Sequence, residues 1–125
     1  MPECNYLSPL LKIPVTDVER SSQFYAEQLG FELQFSAAEY GWAQLIDGEL
    51  CLALYQPGMG GGSAQIGGST GFHLSLPAEA FQAQSQRLLE AGHLMDDRVH
   101  SGDDGSTFMD VRDPDGNVVK IMQRS

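Results

Sequence analysis

Twice along this chain a short apolar run leads into a segment with helical spacing, that segment stops at a glycine, and further strand-like runs follow. An order repeated in this way is an internal duplication of topology, here with little identity between the halves. In the first half, residues 10–15 (Leu-Leu-Lys-Ile-Pro-Val) read as a strand. Asp17 offers an N-cap oxygen, and Val18, Phe24, Tyr25 and Leu29 recur at helical spacing until Gly30 ends the helix. Phe31, Leu33 and Phe35 alternate with Glu32 and Gln34, the pattern of a half-buried strand. Residues 40–46 and 49–55 read as two more strands, with Asp47-Gly48 as a hairpin turn whose central positions need positive φ.

The second half follows the same plan. Phe72, Leu74 and Leu76 alternate with His73 and Ser75 in a strand, and residues 78–91 read as a helix with Phe81, Leu88 and Leu89 on one face and Gly92 as its stop. A weak strand is expected over residues 94–100, then a turn at Asp103-Asp104-Gly105. Strands at 106–112 and 118–123 are joined by Asp113-Pro114-Asp115-Gly116-Asn117, where proline presets φ and glycine and asparagine accept unusual φ. Residues 7–56 and 70–124 are thus two βαβββ modules of a single domain, joined by residues 57–69. This joining stretch carries Pro57, six glycines and two serines, and its part from Gly58 to Gly68 is expected to be the most mobile ordered region. A phosphate-cradling loop would be followed by a helix, whereas a strand follows here.

Composition narrows the partners. With a net charge of −10 and no basic stripe, the chain would repel nucleic acid and anionic membrane, and the acidity serves solubility. The apolar run at residues 50–55 is far too short to cross a bilayer, and no signal-peptide pattern is visible, so a cytoplasmic location is expected. Cys4 falls in an N-terminal tail and Cys51 in an apolar strand, which suggests neither a disulfide framework nor structural zinc.

Two motifs carry a resemblance. Val15-Thr16-Asp17 with Ser21-Ser22-Gln23-Phe24-Tyr25 and Leu29-Gly30-Phe31 is one, and Asp113-Pro114-Asp115-Gly116-Asn117-Val118 is the other. Together they resemble the glyoxalase/bleomycin-resistance/extradiol-dioxygenase, or vicinal oxygen chelate, superfamily over residues 7–123. The resemblance implies an α+β fold whose two βαβββ modules form a curved mixed-sheet cup, with the fifth strand beside the eighth. It identifies the fold better than the activity, because the superfamily hosts lyases, isomerases, dioxygenases, thiol transferases and drug-sequestering proteins. It also implies that metal-bearing members hold their ion with His, Gln or Glu on the first and last strands of each module. The matching positions here are Leu10, Ala53, Gly71 and Lys120. None supplies a suitable donor, so no metal and no other cofactor is expected. A slip of two residues on the fifth strand would bring His73 into the ligand place, but as a lone ligand.

Strand alternation then assigns the cup-facing side chains as Lys12, Trp42, Gln44, Tyr55, His73, Ser75, Phe108, Asp110, Lys120 and Met122. Trp42, Tyr55, Phe108 and Met122 would provide contact area, while Gln44, His73 and Lys120 would orient a polar ligand. His73, Lys120 and Asp110 fall in one row across the sheet. The plainer alternatives are a cross-strand Lys120–Asp110 ion pair, a hydrogen-bonded core His73, and Trp42 and Tyr55 as packing or dimer contacts. His93 and His100 read as surface residues without a role. Two functions remain open. One is a metal-independent small-molecule-binding protein similar to the drug-resistance members. The other is a lyase or dioxygenase acting on a small carbonyl or aromatic substrate, with His73 and Lys120 as candidate catalytic base and enolate stabiliser. The resemblance further implies a homodimer.

Overall fold

A computed structural model describes residues 5–124, so the expectation placed on Cys4 lies outside the described residues. The chain divides into two compact units, residues 1–66 and 67–125, each an α+β unit with one four-stranded mixed sheet.

The first unit runs β1 (Leu10–Pro14), α1 (Val18–Leu29), β2 (Glu32–Ala37), β3 (Trp42–Asp47) and β4 (Leu50–Tyr55), in the sheet order β1-β4-β3-β2. β1 is parallel to β4, and the other pairs are antiparallel. The Asp17 side chain caps α1 as expected, accepting from the amides of Glu19 at 3.0 Å and Arg20 at 3.1 Å. Val18, Phe24, Tyr25 and Leu29 of α1 are buried, as are Ile13, Ala43, Leu45, Leu52 and Leu54 on alternate strand positions. The helix therefore covers one face of the sheet.

Two local features differ from expectation. Asp47 pairs with Leu50, so the turn residues are Gly48 and Glu49, and of these only Gly48 has positive φ, at 60°. This is a hairpin turn with glycine at its first central position alone. Moving the turn by one residue shifts every cross-strand partner by two, which leaves each side chain on its expected face. The second difference is β2, which is not half-buried: Leu33 is 48% and Phe35 44% exposed. The pairing shifts between Leu33 and Phe35, so Gln34 and Phe35 together oppose Gln44 while Leu33 opposes Leu45. Such a bulge turns Phe35 onto the face of Gln44, away from the helix. An open groove of about 410 Å³ remains between α1 and β2, beside Ala26 and Leu33 and flanked by Glu19 and Glu27.

The second unit runs β5 (Gly68–Pro77), α2 (Ala78–Glu90), β6 (His100–Ser101), β7 (Thr107–Arg112) and β8 (Asn117–Arg124), in the order β5-β8-β7-β6. β5 lies parallel beside β8, as the resemblance implies. α2 begins after Pro77 without a side-chain cap and buries Phe81, Ser85 and Leu88. Leu89, expected on the same face, is 40% exposed. It sits about 80° around the helix from Phe81, at the margin of the apolar stripe. The expected strand over 94–100 is interrupted, leaving only β6 at its far end. Leu94 makes a single bridge to Val111, after which a turn at Met95–Asp97 puts Asp96 at φ 60° and Asp97 at φ 52°. Two consecutive left-handed residues break extended pairing, and aspartate is among the few side chains that tolerate that conformation.

The loop between β7 and β8 is closed by its own side chains. Asp113 and Asn117 are buried. One carboxylate oxygen of Asp113 accepts from the amides of Asp115 and Asn117, each at 2.9 Å, and the other accepts from Asn117 Nδ2 at 3.0 Å. Asn117 Oδ1 in turn accepts from the Gly67 amide at 2.7 Å, tying the entry of β5 to the loop. The motif is therefore a structural knot that sets the register of β7 on β8. In the turn before β7, the hydroxyl and amide of Ser106 hold the Asp104 carboxyl below the usual carboxylate range. Among the described residues, no helix is long and apolar enough to cross a membrane.

Candidate functional site

Each sheet has one face under its helix and one without, and every side chain expected to line a site belongs to the second kind. In the first unit these residues form rows fixed by the strand register. One row is Lys12–Ala53–Gln44, extended by Gln34 and Phe35, and the next is Pro14–Tyr55–Trp42. The Trp42 indole N–H donates to Gln44 Oε1 at 2.9 Å. Gln44 Nε2 donates to Gln34 Oε1 at 3.1 Å and lies 3.6 Å from Cys51 Sγ. The Lys12 ammonium stands 5.0 Å from the centre of the Tyr55 ring. Aromatic surface and a fixed chain of amide groups thus lie side by side.

Tyr55 is only 4% exposed although it faces away from the helix. The glycine-rich segment accounts for this. A Cβ on Gly61 would lie 2.9 Å from Tyr55 Cβ and 3.0 Å from Trp42 Cε3 and Cζ3, and one on Gly62 would lie 2.8 Å from Tyr55 Cε2. The backbone at residues 61–62 therefore rests on both aromatic rings, which only glycine permits. The segment is anchored near its start by Gln56 N donating to the Gly41 carbonyl at 2.8 Å and Gly58 N to the Gly62 carbonyl at 3.0 Å.

In the second unit the counted row is present: His73 pairs with Lys120, and Lys120 with Asp110. The neighbouring row is Ser75–Met122–Phe108–His100. His73 and Lys120 are exposed and Asp110 half-buried, so His73 is not a core histidine. The Lys120 ammonium lies 4.4 Å from the centre of the Phe108 ring, a cation–π contact in place of the expected ion pair with Asp110. His100, read from the sequence as a surface residue, stacks on Phe108 with ring centres 5.3 Å apart, and its Nε2 is 3.5 Å from Asp96 Oδ2. The left-handed turn at Asp96 and Asp97 places it there. No periodic signal in so short a strand could have revealed this. His93 contributes its backbone carbonyl to the Arg112 amide at 2.8 Å.

The two registers are equivalent over these rows, although β5 shifts on β8 between Ser69 and His73 and β1 does not shift on β4. Lys12–Ala53–Gln44 in the first unit corresponds to His73–Lys120–Asp110 in the second, and Trp42 to Phe108. The four positions where the resemblance implies metal ligands do not fit a metal. Leu10 and Ala53 carry hydrocarbon, Gly71 has no side chain and sits at φ 84°, and Lys120 carries a cation. Among the described residues, no group of three His, Cys, Asp or Glu is placed to hold an ion.

The family model for the Glyoxalase/Bleomycin resistance protein/Dioxygenase superfamily matches residues 7–121. Solved structures share the fold at low identity. The chain is similar to a lactoylglutathione lyase from Agrobacterium tumefaciens, at TM-score 0.78 and 18% identity, covering 98% of this chain and 96% of that one. It is similar to a superfamily member from Sphaerobacter thermophilus at TM-score 0.76 and 24% identity, covering 97% and 98%. It is also similar to the bleomycin-binding protein of bleomycin-producing Streptomyces verticillus, solved with copper(II)-bleomycin, at TM-score 0.69 and 16% identity, covering 98% and 100%. No curated protein matches the chain.

Proposed function

The chain belongs to the glyoxalase/bleomycin resistance protein/dioxygenase superfamily, and from that premise we propose that it is a metal-independent small-molecule-binding protein of the sequestering kind. The observation that carries the reading is Lys120. It occupies a position where metal-bearing members would place an acidic ligand, yet its ammonium lies against Phe108, beside His73 and Asp110 in the same row. A fixed cation on an aromatic platform suits the binding of a polar group on an apolar ligand, and it repels a metal ion. The similarity to a bleomycin-binding protein supports sequestration as the type of activity.

The test is a screen of small aromatic and carbonyl compounds by ligand-detected NMR in the presence of EDTA, with each hit titrated into wild type and Lys120→Met. Hits are expected without added metal. The substitution should weaken anionic or carbonyl ligands at least several-fold, on the order of one charged hydrogen bond. Binding that appears only on adding a divalent metal, or a set of hits none of which responds to Lys120→Met, would overturn the reading. A second reading rests on the adjacency of His73 and Lys120 across β5 and β8. It is a lyase in which His73 takes a proton α to a carbonyl while Lys120 stabilises the enolate. Turnover lost in His73→Gln with binding retained would favour it.

The same proposal has the protein act in the cytoplasm as a homodimer, with His73, Ser75, Phe108, Asp110, Lys120 and Met122 meeting ligand in one module and Lys12, Trp42, Gln44 and Tyr55 in the other. Light scattering at micromolar concentration should give twice the 13.6 kDa chain mass. A monomer mass would refute the dimer.

A further inference from the structure

The Trp42–Tyr55 surface has the chemistry of a stacking site but is covered by its own chain. Lys12 stands over Tyr55 at 5.0 Å, the Trp42 indole is oriented by Gln44 at 2.9 Å, and Tyr55 is almost fully buried. What buries it is peptide backbone carrying no side chains, at Gly61 and Gly62. A glycine strap makes a poor permanent cover: Gly61 and Gly62 bring no side chain to the rings, and glycine loses more backbone freedom on ordering than any other residue. Flat peptide groups on aromatic faces imitate, weakly, the contact that a planar ring would make there.

We propose that the strap at residues 58–66 is a displaceable occupant of a binding site for planar organic anions. Its ligand exchanges ring stacking on Trp42 and Tyr55 for the peptide groups of Gly61 and Gly62, and sets its acidic group toward Lys12. The proposal rests on the reading that the helix-free faces bind small molecules, and it names the ligand class and the gate for the first module. Affinity is then divided between ring stacking and the free energy of displacing the strap. The apparent dissociation constant is the intrinsic one divided by the open fraction.

Trp42 is the only tryptophan in the chain, so its fluorescence reports on the strap without a label. Gly61→Ala would drive a methyl group to 3.0 Å from the Trp42 ring and Gly62→Ala one to 2.8 Å from the Tyr55 ring, which lifts the strap without touching the β3–β4 ladder. Acrylamide quenching of Trp42 should rise by about twofold or more in both variants. Calorimetric affinity for 2-naphthoate should rise by about three- to tenfold as the open fraction grows. Neutral 2-naphthylmethanol and non-planar cyclohexanecarboxylate should bind more weakly than 2-naphthoate, and Lys12→Met should remove the preference for the acid.

Gain of affinity separates a gate from a merely damaging substitution. Quenching unchanged in both variants would show that the strap does not cover the rings, and would overturn the proposal. Quenching that rises without tighter 2-naphthoate binding would overturn the gate and the ligand class, and leaves the Lys120→Met test of the wider reading unaffected. Should both variants fail to fold, wild-type hydrogen exchange decides. Addition of 2-naphthoate should accelerate the amides of residues 58–66, and their protection or indifference would overturn the proposal.

Discussion

Asp113→Ala should lower the unfolding free energy by about 3 kcal/mol and the melting temperature by about 10 °C, measured by urea and thermal denaturation. Asp113 is 5% exposed, and its carboxylate accepts from the amides of Asp115 and Asn117 and from the Asn117 side chain. Removing it leaves those donors facing a buried void. Unpaired donors cost more than the net worth of the bonds they lose, because their desolvation is no longer offset. The Asn117 side chain also loses the group that aims its oxygen at Gly67, so the start of β5 should loosen with the loop. Asn117→Ala added to Asp113→Ala should then cost less than it does alone, since the two act as one network. A loss below about 1 kcal/mol in Asp113→Ala would show that water replaces the network, and that the motif does not hold the register.

Phe81→Ala should cost about 3–5 kcal/mol, whereas Leu89→Ala should stay within about 0.5 kcal/mol. The two residues stand about 80° apart around the helix. Phe81 is 2% exposed and anchors α2, which has no side-chain N-cap and buries only Ser85 and Leu88 beside it. Truncating it opens a cavity under a helix with little else to hold it. Leu89 lies at the edge of the stripe, where water already reaches it. Similar costs for the two would mean that α2 is rotated from the position described.

These cases also show how much could be read beforehand. Assignment to faces survived an error in the hairpin, because a strand alternates with a period of two and a turn displaced by one residue moves its partners by two. Trp42 and Gln44 therefore share their face with Ala53 and Tyr55 even though the turn residues are Gly48 and Glu49. Phe35 shows the limit of that argument: a bulge inserts a residue that alternation cannot see, and the ring passes to the opposite face. Around His73, Lys120 and Asp110 the row could be counted, since the Asp113-to-Asn117 loop fixes both ends of its hairpin. The contacts within it could not. A long lysine chain selects among partners within reach, and Lys120 meets the face of Phe108 rather than Asp110. His100 escaped notice because its place depends on two left-handed aspartates, and a left-handed aspartate leaves no periodic trace.

The bulge in β2 has a bearing on self-association. β2 is one of the two edge strands of its sheet and exposes Leu33 and Phe35, the profile of a strand that recruits a copy of itself into growing fibrils. A template must offer evenly spaced donors and acceptors along its free edge. The extra residue between Leu33 and Phe35 breaks that spacing and increases the local twist, so an incoming strand can satisfy one half of the edge or the other but not both. Deleting Gln34 would straighten the edge and restore continuous alternation, turning a soluble surface into a seed for aggregation.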